Sequence, residues 1–194
     1  IRINKINNKS KIITYGGNLG KAQNLNYLIK LGEYNKKNSL DILIKIFGEG
    51  SEKENLKKKI NEKYLQNYIK VFGFLEDSKF YKELNKSDYL AISLSSGEAF
   101  SKTIPAKFQT YIYFKKPIIS INDGALAQYI SNYNVGINLR PNKFNSDLKK
   151  YKKLISNKDN YKIYSKNAHN LYVQKYELNA NVKILCDFFY KNLK

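Results

Sequence analysis

The sequence predicts an α/β domain: a doubly wound, mainly parallel sheet followed by a helical C-terminal segment. Three observations predict it. Short continuous runs of Ile, Val, Leu, Tyr and Phe recur along the first 140 or so residues. Most of these runs end in a turn that contains glycine, and a segment with apolar residues at i, i+3, i+4 spacing follows. Residues 142–194 carry helical spacing and no strand signal.

The elements follow in order. Residues 11–16 (KIITYG) read as a strand, GNLGKAQ as a tight turn, and Leu25, Leu28 and Ile29 as the start of an amphipathic helix. LDILIKIFGEG (40–50) reads as a buried strand ending in a Gly loop. Ser51 stands three residues before Glu54, which predicts a capping box for a helix carrying Leu56 and Ile60. YIKVFG (68–73) is the third strand, and Asp77 is expected to cap a short helix with Phe80, Tyr81 and Leu84. DYLAISL (88–94) is the fourth strand. An irregular loop over 95–104 leads to Pro105 at a helix start. KPIISI (116–121) is the fifth strand, Asn122 or Asp123 opens a helix through Ile130, and VGINL (135–139) is the last strand. The positions of Leu148, Tyr151, Leu154 and Ile155, then Ala168, Leu171 and Tyr172, then Val182, Leu185, Phe188 and Phe189 read as successive helices.

Composition narrows the chemistry. The 194 residues hold one cysteine and one histidine. That excludes an intramolecular disulfide framework, a Cys-rich zinc site and His-pair metal sites. Cys186 is expected to be a small core residue, and His169 a surface or partly packed one. The formal net charge is +19. All but Arg2 and Arg140 of the 35 basic residues are lysine, scattered along the whole chain. Base readers depend on the planar fork of arginine, so nucleic acid is an unlikely partner; diffuse charge suits an anionic membrane surface better. No apolar run approaches the roughly 20 residues that span a bilayer.

In open parallel sheets ligands gather beyond the carboxyl ends of the strands. In this sequence those positions hold Gly16, Gly17 and Asn18, then Gly48 to Gly50, Phe74 and Leu75, the 95–104 loop, and Asp123 with Gly124. Glycine lets backbone N–H groups approach a phosphate, and the helix start near Pro105 offers further N–H groups. Lys21, Lys102 and Lys107 lie close by in sequence and can neutralise a diphosphate. Glycines also end strands in any α/β fold, so the pattern admits phosphate without requiring it. GEG (48–50) is not a dinucleotide fingerprint, because Lys53 stands where its last glycine belongs, and no P-loop is present. Glu49, Glu76, Asp77, Glu98 and Asp123 lie near loops, at spacings that do not single out a catalytic acid pair.

Several blocks together resemble a known family. GGNLGKAQNLNYLI is similar to the opening of the C-terminal, donor-nucleotide domain of retaining GT-B glycosyltransferases of the group 1 type, glycosyltransferase family 4. IKIFGEGSEKENLKKKI resembles that family's second strand, its Gly-x-Gly turn and the next helix. VFGFLED resembles the turn that faces the base. YKELNKSDYLAISL resembles the segment before the active-site loop, and TIPAKFQTYIYFKKPIISINDGALAQYI the stretch that family members read as PSKxxEYxAxGKP. VGINLRP and SKNAHNLYVQKYELNANV resemble its last strand and closing helices. The resemblance covers residues 11–192, and its subgroup is similar to enzymes that build bacterial surface polysaccharides.

The resemblance implies residues 11–141 as a Rossmann-like donor-nucleotide-binding domain, residues 142–194 as helices closing the same domain, and residues 1–10 as a leader from a linker or an N-terminal domain. It implies a nucleotide-diphosphate sugar, usually a UDP-sugar, as substrate, with no cofactor and no required metal. Gly16 and Gly17 would sit at the phosphates, Phe74 and Leu75 at the base, and Ile104, Pro105, Ala106 and Thr110 around the helix start and the ribose. Lys21, Lys102 and Lys107 would act in catalysis by stabilising the leaving diphosphate. It also implies an N-terminal acceptor domain as partner, and a cytoplasmic location, peripheral at the inner face of the membrane.

The departures are specific. Thr110 stands where the family's second glutamate binds the ribose hydroxyls, and Lys102 where many members have the first. Ala106 replaces a frequent serine, and Tyr113, Phe114 and Lys115 replace small residues before Lys-Pro. A non-catalytic nucleotide-sugar-binding module is the alternative these departures keep open. A basic membrane-surface or nucleic-acid binder is the third reading.

Overall fold

The computed structural model describes residues 10–97 and 101–192. Its sheet has six strands: β1 (Lys11–Gly16), β2 (Ile42–Phe47), β3 (Ile69–Val71), β4 (Tyr89–Ser93), β5 (Ile118–Ile121) and β6 (Gly136–Leu139). Their order is β3-β2-β1-β4-β5-β6, and every neighbouring pair is parallel. This is the doubly wound sheet that the sequence predicts. The order reverses between β1 and β4, which opens a crevice at their carboxyl ends.

The helices are α1 (Asn26–Lys37), α2 (Lys53–Glu62), α3 (Asp77–Lys86), α4 (Lys107–Tyr113), α5 (Ala125–Tyr133), α6 (Phe144–Ser156), α7 (Lys158–Lys175) and α8 (Leu178–Asn192), with a 3-10 turn at Lys21–Gln23. Two cores flank the sheet. On one face Ile13, Ile44 and Ile46 meet Leu28 and Leu31 of α1, Leu56 and Ile60 of α2, and Tyr151 and Leu154 of α6. On the other, Leu90, Ile92 and Ile118 meet Leu84 of α3, Phe108 and Ile112 of α4, Leu126 and Ile130 of α5, and Ala168 and Leu171 of α7. All five residues of β4 are buried, as a central parallel strand requires. Each fully buried Leu or Ile contributes about 1.5–3 kcal/mol of transfer free energy.

Several sequence expectations need correction. Ser51 and Glu54 form no capping box. Helix α2 begins at Lys53 after Glu52, whose N–H donates to the Leu19 carbonyl, while the Lys53 N–H takes the Gly50 carbonyl. Asp77 is the first residue of α3 rather than its cap; Glu76 precedes it and makes no side-chain cap bond. Asn122 does not open α5, which starts at Ala125, but its Oδ1 accepts the Gly124 N–H at 2.6 Å and shapes the turn into the helix. Pro105 lies two residues ahead of α4.

The larger correction concerns α8. Cys186 is exposed, not a core residue, and Leu185, Phe188 and Phe189 are exposed with it. The helical spacing does form a helix, but its apolar side chains stay largely exposed. His169 on α7 is partly buried, as expected.

Candidate functional site

A crevice of about 390 Å³ opens at the carboxyl end of the sheet. It is lined by the turn after β1 (Gly16, Gly17, Asn18), the turn after β2 (Gly48, Glu49), the turn after β3 (Phe74, Leu75), the start of α3 (Asp77, Phe80) and Lys107 of α4. Thus three turns that the sequence separates by about 30 residues each meet around one lysine.

Local chemistry explains the shape. Gly17 has φ +137 and Gly48 has φ +139, a region that other residues rarely adopt. A Cβ on Gly48 would overlap the Gly17 carbonyl, so the two turns touch backbone to backbone. The base of the crevice is aromatic: Phe47 stacks on Phe72 with centroids 4.7 Å apart, and Phe80 meets Phe47 edge-on at 5.8 Å. Phe74 stands 72% exposed at the rim, an unshielded ring that a planar ligand can cover. The Glu49 carboxylate accepts the Phe74 N–H at 3.3 Å and the Lys53 ammonium at 2.6 Å. That pairing with Lys53 holds the Glu49 carboxyl below its usual range.

Lys107 is the charge of the site. Its ammonium donates to the Gly16 carbonyl at 2.9 Å and lies 4.6 Å from the centroid of the Tyr15 ring. Burial lowers its pKa to about 8. One helical turn along α4, the Tyr111 hydroxyl accepts the Gly16 N–H at 2.9 Å. The Tyr15 hydroxyl donates to the Asn18 carbonyl at 2.9 Å. Tyr15 and Tyr111 are fully buried; the Tyr111 bond forms away from water and fixes the turn firmly, while the Tyr15 bond reaches the exposed Asn18. Burial pushes the pKa values of both phenols up, keeping them neutral donors and acceptors.

Of the residues singled out in the sequence, the crevice gathers Gly16, Gly17, Phe74, Leu75 and Lys107. Lys21 lies elsewhere. It lines a separate depression of about 410 Å³ with Asn24, Glu52, Lys59 and Ser95. Lys102, Ile104 and Ala106 are exposed, and Pro105 and Thr110 are partly buried; none of these lines the crevice. Glu98 lies outside the described residues. In the first turn of α4 the Phe108 and Gln109 N–H groups bond to the Pro105 and Ala106 carbonyls, so fewer donors face outward than a helix start offers in principle. Asp123 accepts from the Ser96 hydroxyl at 2.8 Å and ties Ser96 to the turn after β5. Among the described residues no group of His, Cys, Asp and Glu has the size of a metal site.

The sequence reading did not select Tyr15 or Tyr111. A signal for Tyr111 was present. It falls four residues after Lys107, hence on the same helix face, and it matches the tyrosine of the PSKxxEYxAxGKP pattern.

Comparisons with known proteins agree with this fold. A poly(glycerol-phosphate) alpha-glucosyltransferase from Bacillus subtilis (strain 168) is 30% identical over 122 residues, which is 60% of this chain and 18% of that protein. A crystal structure of the C-terminal domain of a glycosyl transferase group 1 family protein from Francisella tularensis superposes with a TM-score of 0.72 at 20% identity, covering 87% of each chain. Anabaena HepE, solved in complex with UDP and glucose, superposes with a TM-score of 0.76 at 14% identity, covering 94% of this chain and 49% of HepE. These structures share the GT-B glycosyltransferase half-fold. The chain therefore spans less than a fifth of the curated relative and about half of HepE. The model of the group 1 glycosyl transferases matches residues 1–171, and the chain belongs to that family.

Proposed function

We propose that this chain is the donor-binding half of a retaining glycosyltransferase that uses a UDP-sugar and acts in bacterial surface polysaccharide synthesis. The observation that carries the reading is the convergence of the two Gly turns, the Phe74 rim and the Lys107 ammonium on one crevice. The base would lie against Phe74 and Leu75, and the diphosphate against Gly17 and Lys107. HepE, which shares the fold, was solved with UDP.

In this reading Lys107 acts electrostatically. Negative charge develops on the leaving diphosphate as the glycosidic bond breaks, and an ammonium bound to the diphosphate stabilises it. Lys21 and Lys102 are proposed to add to the positive field around the leaving group. Acceptor binding would be supplied by protein outside the matched half, since relatives of this fold are about twice as long. Transfer needs donor and acceptor held together in a water-poor cleft. The +19 charge fits work at the inner face of an anionic membrane.

A thermal-shift panel of nucleotides and nucleotide sugars tests the reading. A ligand at about 100 times its Kd should add roughly 2.7 kcal/mol of stability. UDP and a subset of UDP-sugars should raise the melting temperature. A panel with no response would overturn the proposal. Binding of UDP-sugar without turnover by the enzyme of full length would favour the non-catalytic module, for which Thr110 in the glutamate position is the supporting observation.

A further inference from the structure

Both backbone groups of Gly16 are held by side chains of one helix face. Lys107 takes the carbonyl and Tyr111 the N–H, each at 2.9 Å. The reason lies in the sheet. The β1–β4 register ends at Tyr15 and Ala91, while the Gly17 N–H bonds to Phe47 on the β2 side. Successive N–H groups of a strand point to opposite sides, so the Gly16 N–H faces the side where β4 no longer pairs. The Tyr111 hydroxyl replaces the missing acceptor. A buried backbone N–H left without a partner is rare and costly, so this bond decides where the Gly16–Gly17 peptide lies.

The two bonds differ in strength of commitment. Tyr111 is neutral, fully buried and has no other described partner than Gly16. Among the described residues, Lys107 carries a charge met by a carbonyl, a hydroxyl 3.5 Å away and an aromatic face. A phosphate oxygen is a better partner for an ammonium than a carbonyl oxygen is.

Resting on the donor-binding reading above, we propose that Tyr111 is a positioning residue. It fixes the Gly16 peptide so that Lys107 can leave the Gly16 carbonyl for a ligand's diphosphate while the turn keeps its place. The Lys107 contact is then a resting position, and the Tyr111 contact is permanent. Tyr15 supports the resting position with its ring and secures the far end of the turn through Asn18.

The test compares UDP and UMP binding by calorimetry in the chain, in Tyr111→Phe and in Tyr129→Phe. The Tyr129 hydroxyl pairs with that of Tyr176 at 3.1 Å and does not line the crevice, so its loss reports on stability alone. Tyr111→Phe should weaken UDP by roughly tenfold, the size of one unpaired buried group, and UMP by less, so that the UMP-to-UDP ratio shrinks. Tyr129→Phe should leave the ratio at its parent value. A parent ratio retained in Tyr111→Phe overturns the positioning role. Failure of the parent chain to bind UDP overturns the donor reading instead. Should Tyr111→Phe fail to fold, hydrogen exchange in the parent chain decides the matter. The Gly16 amide should stay protected when UDP is bound, and loss of that protection contradicts the proposal.

Discussion

Lys107 and Tyr111, one turn apart on α4, grip the two backbone groups of the same residue, Gly16. Through that grip a short helix packed on one face of the sheet sets the position of a turn at the end of the central strand. The ammonium that results is partly buried, close to two Gly turns and an aromatic rim, and has no carboxylate partner among the described residues.

The first prediction concerns this charge. Lys107→Ala should weaken UDP binding by about tenfold to a hundredfold, the range for losing one charge-assisted hydrogen bond. Lys107→Arg should recover part of the affinity, because charge is kept while shape changes. Calorimetry on the two variants checks it, and unchanged affinity in Lys107→Ala would remove Lys107 from the site.

The second follows from the lowered pKa. Between about 8 and the ordinary 10.5 the folded chain holds fewer protons on Lys107 than the unfolded chain does. Stability contributed by this group therefore rises with pH across that window. UDP affinity runs the other way, because a diphosphate needs the ammonium. Affinity should fall above pH 8 by up to about tenfold per unit. Titrations between pH 7.5 and 9.5 check the sign; a flat profile would contradict it.

The third concerns the touching turns. Gly48→Ala places a Cβ against the Gly17 backbone at a positive φ. It should cost about 1–3 kcal/mol and weaken UDP binding as the Gly17 turn is displaced. Gly20→Ala is the control, since φ is −104 there and the nearest atoms belong to the Gln23 and Asn18 side chains. Chemical denaturation of both variants measures the difference.

The fourth lies away from the crevice. The buried Asp147 carboxylate accepts from the Arg140 side chain at 2.7 and 3.0 Å and from the Arg140 N–H at 2.7 Å, joining α6 to the end of β6. Hydrogen bonding to Arg140 lowers its pKa from 3.8 to about 2. The folded state thus binds this proton less readily, so the stabilisation is present above pH 4 and is lost as pH falls toward 2. Asp147→Asn should cost about 1–3 kcal/mol at pH 7 and flatten that part of the acid-unfolding curve.

How much of this was legible depends on range. The strands were readable because parallel strands buried on both faces must be continuous apolar runs, and IIT, ILIKIF and LAIS leave little alternative. The Gly turns were readable because they follow those runs directly. Helix starts shifted by one to three residues, because distant backbone groups such as the Leu19 carbonyl decide where the first turn forms. Tyr111 is legible only in part: it falls four residues after Lys107 and matches the tyrosine of the family pattern, but nothing in the sequence pairs it with Gly16. An aromatic at helical spacing looks like core, and the phenol's partner lies 95 residues away. Cys186 departs from its expected core position for the converse reason. Its spacing reports a helix face, and no local signal says what stands opposite it.

The most direct test of the account is a pair of calorimetric titrations of the chain with UDP and with UMP at pH 7.5. A crevice built around the Lys107 ammonium and two Gly turns rewards the second phosphate, so UDP should bind about tenfold or more tightly than UMP. Equal affinity for the two nucleotides, or no binding of either, would contradict the donor-site assignment.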